Sequence, residues 1–216
     1  QKEAERIIEE KSQINRANGA YNAALVAIDP GSGEILAMVG SVDFFGEPYP
    51  KNCSPGKNCL FEPYPNVTIR GRQPGSAFKP FVYATAFKKG VSDKEIVIDE
   101  LTNFGTQANP YIPRNYDGLF RGSVTLRQAL AQSLNIPSIK VLASLAGLED
   151  SIQTAKDMGI TTLTRPPSFY GLPLVLGGGE VKLLEMVSSY GVFATEGIRF
   201  PSVSILKITD SAGNII

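Results

Sequence analysis

Apolar residues in this chain alternate between helical spacing and short, nearly unbroken runs, and that pattern predicts its elements. Residues 1–18 read as a charged amphipathic helix with Ala4, Ile7, Ile8 and Ile14 toward one side. Ala24-Leu-Val-Ala-Ile28 and Glu34-Ile-Leu-Ala-Met-Val39 then flank Asp29-Pro-Gly-Ser-Gly33, whose residues tolerate turn dihedrals. This predicts a β-hairpin, and its continuous apolar character predicts a sheet covered on both faces or lying centrally. Residues 41–72 are loop-like. Phe78, Phe81, Val82, Thr85 and Ala86 recur at helical spacing until Gly90, which predicts a buried helix.

Further along, Thr125-Leu-Arg-Gln128 has the form of a capping box opening a helix that should stop near Ser133. The next helix begins around Pro137, with Asn135 as a natural N-cap, and runs from Ser138 to Leu145 before Gly147. Helices are also predicted over about 150–158 and 180–194. Val203–Thr209 and Gly213–Ile216 read as the start of a second hairpin around Asp210-Ser-Ala-Gly213. Strands toward both ends with helices between them indicate one α+β domain. Gly177-Gly-Gly179 lacks the Gly-Lys-[Ser/Thr] ending of a phosphate loop and reads as a loop before the 180–194 helix. Asp29 and Asp99 have no partner carboxylate at useful spacing and are assigned to turns.

Composition narrows the chemistry. The 216 residues hold 21 basic and 21 acidic side chains, scattered without a basic block, so nothing favours a nucleic-acid partner. No run approaches the roughly 18 apolar residues that span a bilayer. Cys53 and Cys59 bracket Ser-Pro-Gly-Lys-Asn, too few ligands for zinc in a chain with no histidine. A disulfide within the loop, formed in an oxidising compartment, competes with two free thiols. Asn66-Val-Thr68 matches the glycosylation pattern, but so short a match decides nothing.

The absence of histidine also excludes a Ser-His-Asp site. In Gln73-Pro-Gly-Ser-Ala-Phe-Lys-Pro80, Ser76 and Lys79 stand three apart on what should be the start of the buried helix. Residues so spaced share a helix face, so the ammonium can lie against the serine oxygen. A serine hydroxyl is a weak nucleophile until a neighbouring base takes its proton, and lysine is the base available. The structural alternative is a helix cap at Ser76 and a snorkelling surface lysine.

Around these residues the chain resembles a family. Ala24-Leu-Val-Ala-Ile-Asp-Pro30, Gly33-Glu-Ile-Leu-Ala-Met-Val-Gly40, Arg72-Gln-Pro-Gly-Ser-Ala-Phe-Lys-Pro-Phe81, Asn115-Tyr-Asp-Gly118, Val124-Thr-Leu-Arg-Gln-Ala-Leu-Ala-Gln-Ser-Leu-Asn-Ile-Pro137 and Leu183-Leu-Glu-Met-Val with Tyr190-Gly-Val-Phe-Ala194 occur in order. Together they resemble the transpeptidase domain of class A penicillin-binding proteins. The resemblance implies an α+β fold of the penicillin-binding-protein and serine β-lactamase type, a sheet flanked by helices. It also implies acyl transfer through a serine ester, without a cofactor, on D-Ala-D-Ala stem peptides of peptidoglycan, with β-lactams as acylating inhibitors. Ser76 and Lys79 match the family's Ser-x-x-Lys motif, and Ser133 and Asn135 its Ser-x-Asn motif.

In that reading Ser76 is the nucleophile and Lys79 the base. Ser133 relays a proton to the leaving amine, and Asn135 holds the substrate amide. The third motif, Lys-[Thr/Ser]-Gly, does not occur in the 216 residues. The expectation is therefore a helical lead-in over 1–20 and a partial transpeptidase domain over 21–216, incomplete on its C-terminal side. Its expected location is the extracytoplasmic face of the bacterial membrane, reached through an anchor outside this chain. A D,D-carboxypeptidase or β-lactamase-like hydrolase, and a non-catalytic peptidoglycan- or penicillin-binding module, stand as alternatives.

Overall fold

The computed structural model describes residues 1–216. In chain order they form α1 (Lys2–Ala17), β1 (Leu25–Ile28), β2 (Ile35–Val39), β3 (Gly71–Arg72), α2 (Lys79–Lys88), β4 (Ile96–Asp99) and β5 (Gly122–Thr125). There follow α3 (Leu126–Ala131), α4 (Asn135–Val141), α5 (Leu148–Asp157), α6 (Pro167–Tyr170), β6 (Val181–Lys182) and α7 (Leu183–Ala194). The chain divides into two units: residues 1–71 with 158–160 and 181–216, and residues 72–157 with 161–180. No sheet exceeds two strands.

In the first unit the predicted hairpin forms, pairing Leu25 with Val39 through to Ile28 with Ile35, with an irregularity at Ala27/Ile28. Its turn is closed by Asp29, whose carboxylate accepts from Gly31 N at 2.8 Å and whose carbonyl accepts from Gly33 N at 2.8 Å. Gly33 has φ +80°, and a Cβ there would lie 2.0 Å from the Pro201 carbonyl oxygen, so only glycine fits. Helix α1 packs on β2, where Ala4 joins Ala37 and Val39 in a small core edged by Ile8, Leu25 and Ala27. The side chain of Gln1 extends this contact by donating to Met38 O and accepting from Met38 N.

Three expectations change here. Leu36 is 58 % exposed, so the hairpin is not covered on both faces. Ile7 and Ile14 are also exposed, because only part of α1 meets the small core. The second hairpin shrinks to a single bridge between Thr209 and Ile215. Val203 instead bonds to the start of β2, donating to Gly33 O and accepting from Ile35 N. Cys53 and Cys59 are joined by a disulfide with Cα atoms 5.1 Å apart. Asn66 Oδ1 accepts from the backbone N and hydroxyl of Thr68, so the side chain of the glycosylation-like triplet is engaged internally.

The second unit is built around α2. Phe78, Phe81, Val82, Thr85 and Ala86 are buried, as the helical periodicity predicted, and Tyr83 is buried with them. Helices α3, α4 and α5 pack against it. Burying each large apolar side chain contributes about 1.5–3 kcal/mol, so this helix is held by packing rather than by propensity. Tyr83 Oη and Ser138 Oγ hydrogen-bond at 3.1 Å in this core, and burial pushes the tyrosine up to about 12. The predicted capping box is present: Thr125 Oγ1 accepts from Gln128 N, and Gln128 Oε1 accepts from Thr125 N. Strands β4 and β5 pair antiparallel, Ile96 with Thr125 through to Asp99 with Gly122. Asp99 is thus the buried last residue of a strand and not a turn residue.

Candidate active site

Lys79, Ser133 and Asn135 meet at the N-terminal end of α2. Gly75–Phe78 form a 3-10 turn that leads into α2, with Gly75 at φ +58°. Ser76 sits on this turn, exposed, and its carbonyl accepts from Lys79 N. Pro80 falls at the second position of α2, where its missing N–H breaks no helical bond. Lys79 is 1 % exposed. Its Nζ donates to Ser133 O at 2.6 Å, Ser133 Oγ at 3.1 Å and Asn135 Oδ1 at 2.8 Å. These three bonds account for the three protons of an ammonium. The sequence-based expectation that the ammonium rests on Ser76 is therefore not met: Lys79 reaches across to the α3–α4 junction instead.

That junction has a specific cause. After α3, Ser133 N donates to Leu130 O and Leu134 N to Ala129 O, the paired bonds of a Schellman closure. The residue between them must be left-handed, and Ser133 has φ +54°. Glycine usually fills such a position; a serine there costs about 1–2 kcal/mol. The sharp reversal lets Lys79 Nζ reach both the carbonyl and the hydroxyl of Ser133.

Asn135 is the first residue of α4, not its cap; Leu134 holds the cap position and makes no side-chain bond. The amide of Asn135 is committed elsewhere. Its Oδ1 accepts from Lys79, and its Nδ2 donates to Arg114 O at 2.8 Å.

Two residues outside the predicted set complete the arrangement. Asn135 N donates to Asn115 Oδ1 at 2.8 Å. Asn115 Nδ2 in turn donates to both oxygens of Asp99, at 3.0 and 2.8 Å, and to Leu119 O at 2.8 Å. Asp99 Oδ2 also accepts from Arg121 N at 2.9 Å. The Asn115-Tyr-Asp-Gly118 stretch stood out in the sequence without a role, and Asp99 had no local signal at all. Asp117 of the same stretch faces outward and pairs with Arg121, which pulls its carboxyl down to about 2.

The triple glycine also has a structural use. Gly177, at φ +90°, caps the 3-10 turn Leu172–Leu176 against the backbone of Gly75. A Cβ on it would lie 2.2 Å from Gly75 N. The turn bearing Ser76 is therefore braced by a bare backbone, not by a phosphate loop.

Chemically, the group to note is Lys79. Burial lowers it to about 8, because a desolvated ammonium loses hydration that three neutral acceptors only partly replace. Near pH 8 about half of such lysines are neutral. A neutral amine holds two protons for its three acceptors and has a lone pair free to accept a third. A buried, deprotonatable lysine three residues from an exposed serine is suited to removing the serine's proton.

Comparisons with known proteins bear on the family and the fold. The family profile of the penicillin binding protein transpeptidase domain matches residues 23–202. Penicillin-binding protein 1A of Neisseria lactamica is 35 % identical over 195 residues, 89 % of this chain and 22 % of that protein. Penicillin-binding protein 2D of Bacillus subtilis is 34 % identical over 220 residues, 100 % of this chain and 29 % of that protein. The chain thus spans less than a third of the length of these curated relatives. Among solved structures, penicillin-binding protein 1A of Haemophilus influenzae superposes with a TM-score of 0.73 at 26 % identity, over 90 % of this chain and 26 % of that one. The PonA1 protein of Mycobacterium tuberculosis, solved in complex with penicillin V, has a TM-score of 0.74 at 21 % identity. It covers 97 % of this chain and 54 % of that one, and it supports the fold alone.

Proposed function

The chain belongs to the transpeptidase family of penicillin-binding proteins, and from that premise we propose that it carries the serine side of a peptidoglycan D,D-transpeptidase site. Ser76 Oγ attacks the carbonyl of the penultimate D-alanine of a stem peptide, and its proton passes to neutral Lys79. The tetrahedral intermediate collapses, the terminal D-alanine leaves as the amine, and the proton returns to it by way of Ser133. An acceptor amine then takes the acyl group from Ser76. A β-lactam carbonyl is attacked in the same way, and its ring-opened ester blocks the serine. Asn135 holds the substrate amide, and Ser76 N, at the start of the helical segment, donates to the oxyanion.

The observation that carries this reading is the bonding of buried Lys79, from one sequence motif, to Ser133 and Asn135 of the other. The reading places residues 21–216 within a transpeptidase domain that residues 1–20 lead into. It places the protein on the extracytoplasmic face of a bacterial membrane, with peptidoglycan stem peptides and β-lactams as its ligands and no cofactor. The test is acylation of the full-length protein by a fluorescent penicillin. Lys79→Ala should slow labelling by about 10²–10⁴-fold, the usual loss on removing a general base. Labelling at the unmodified rate would remove Lys79 from that role.

A further inference from the structure

We propose that Asp99 is a positioning residue for this site, its buried carboxylate setting the amide of Asn115 and, through it, the place of Asn135 beside Lys79. The inference rests on the functional reading above only for its catalytic consequence; the positioning itself follows from hydrogen-bond polarity. An ionised carboxylate only accepts, whereas an asparagine amide has a donating end and an accepting end. Asp99 is 0 % exposed and offers both oxygens to Asn115 Nδ2. Leu119 O, also an acceptor, takes the remaining donor direction of the same nitrogen. The Asn115 side chain can satisfy these partners in one orientation only, with Oδ1 facing α4.

There Oδ1 accepts from Asn135 N, one of the backbone N–H groups that a helix start leaves unpartnered. No side chain caps α4 at Leu134, so Asn115 serves that end of the helix from a distant loop. The Asn135 side chain is thereby free of capping and joins Lys79 Nζ to Arg114 O. Arg114 and Asn115 are consecutive, so one loop holds both the backbone and the side chain of Asn135. Asp99 anchors that loop to the end of β4, with Arg121 N closing the other side. Lys79 touches Asn135 but not Asp99, which makes Asp99 a positioning rather than a catalytic residue.

Asp99→Asn in the full-length protein tests this, because it leaves one oxygen for Arg121 N and sets an amide donor in place of the other oxygen that faces Asn115 Nδ2. The acylation rate at saturating penicillin should fall by about 10–100-fold, as expected for misplacement of a positioned group, with the penicillin dissociation constant little changed. The side-chain amide signals of Asn135 should move in the ¹H–¹⁵N spectrum of the unliganded protein. The reciprocal double variant Asp99→Asn/Asn115→Asp restores a donor facing a carboxylate and keeps an oxygen for Asn135 N–H, while Leu119 O loses its donor. It should recover part of the lost rate and move the Asn135 signals back toward their original positions.

An Asp99→Asn variant that keeps the original rate and Asn135 signals overturns the proposal. So does a loss that vanishes once rates are taken per folded molecule. If the unmodified protein is not acylated by penicillin at all, the functional reading fails, while the Asn135 signals still decide the positioning role.

Discussion

Lys79 concentrates the energetic cost of this site in one side chain. Its folded pKa, about 8, lies below the ordinary lysine value of 10.5 because burial disfavours the ammonium. Between those values the unfolded chain retains a proton that the folded chain has released, so stability rises with pH across the window. Below pH 8 both states hold the proton, and the cost of the buried charge is fully felt. Denaturant unfolding should show the unmodified protein gaining up to about 3 kcal/mol relative to Lys79→Met between pH 8 and pH 10.5. A parallel pH dependence of the two proteins would contradict this. Ser133 poses the converse case, a strained backbone supporting polar contacts. Ser133→Gly should relieve the left-handed strain and raise stability by about 1 kcal/mol, while removing the hydroxyl bonded to Lys79 and slowing acylation. Thermal unfolding and penicillin labelling of one preparation would show both effects or refute the trade.

The elements that position the site differ in how far their own sequence specifies them. Helix α3 is specified at both ends, by the Thr125–Gln128 capping box and by the Schellman closure through Ser133. Helix α4 is capped from outside by Asn115, so its start depends on a loop twenty residues earlier. The 3-10 turn carrying Ser76 is braced by Gly177, a contact that a single added methyl group would disrupt. In the first unit, the 53–59 loop is closed covalently. In protein exported to an oxidising compartment, intact mass should be lower by two hydrogens than that of the reduced chain. Full alkylation of Cys53 and Cys59 without prior reduction would show instead that the thiols are free.

At the scale of the whole molecule, the chain supplies the proposed nucleophile and base and the Ser-x-Asn pair, but no Lys-[Thr/Ser]-Gly. Its curated relatives are several times longer. In the proposed mechanism the backbone N–H of Ser76 is one oxyanion donor; the family resemblance implies a second on a strand carrying the third motif. Loss of one such donor costs about 10²–10³-fold in rate. The 216 residues expressed alone should therefore acylate with penicillin at least about a hundredfold more slowly than the full-length protein, compared as second-order rate constants. Equal constants would mean that the third motif is dispensable or replaced within these residues. Exposed Leu36 on a hairpin with only one bridging neighbour also predicts self-association of the isolated chain, measurable by light scattering.

Local signals in the sequence were sufficient wherever a residue's neighbours along the chain determine its environment. The apolar spacing from Phe78 to Ala86, the Asp29–Gly33 turn, the capping box at Thr125 and the order of the family motifs all belong to this class. They predicted the buried helix and the hairpin, and they singled out Ser76, Lys79, Ser133 and Asn135 as the candidate site. The tertiary structure decided what those residues bond to. Lys79 bonds to Ser133 and Asn135 because the fold brings three acceptors within reach of its Nζ at the α3–α4 junction. Asp99 and Asn115, sixteen positions apart, acquired their roles because a buried carboxylate must be met by donors, and folding brings those donors from another loop. Such demands depend on burial and on distant partners, which spacing along the chain does not encode.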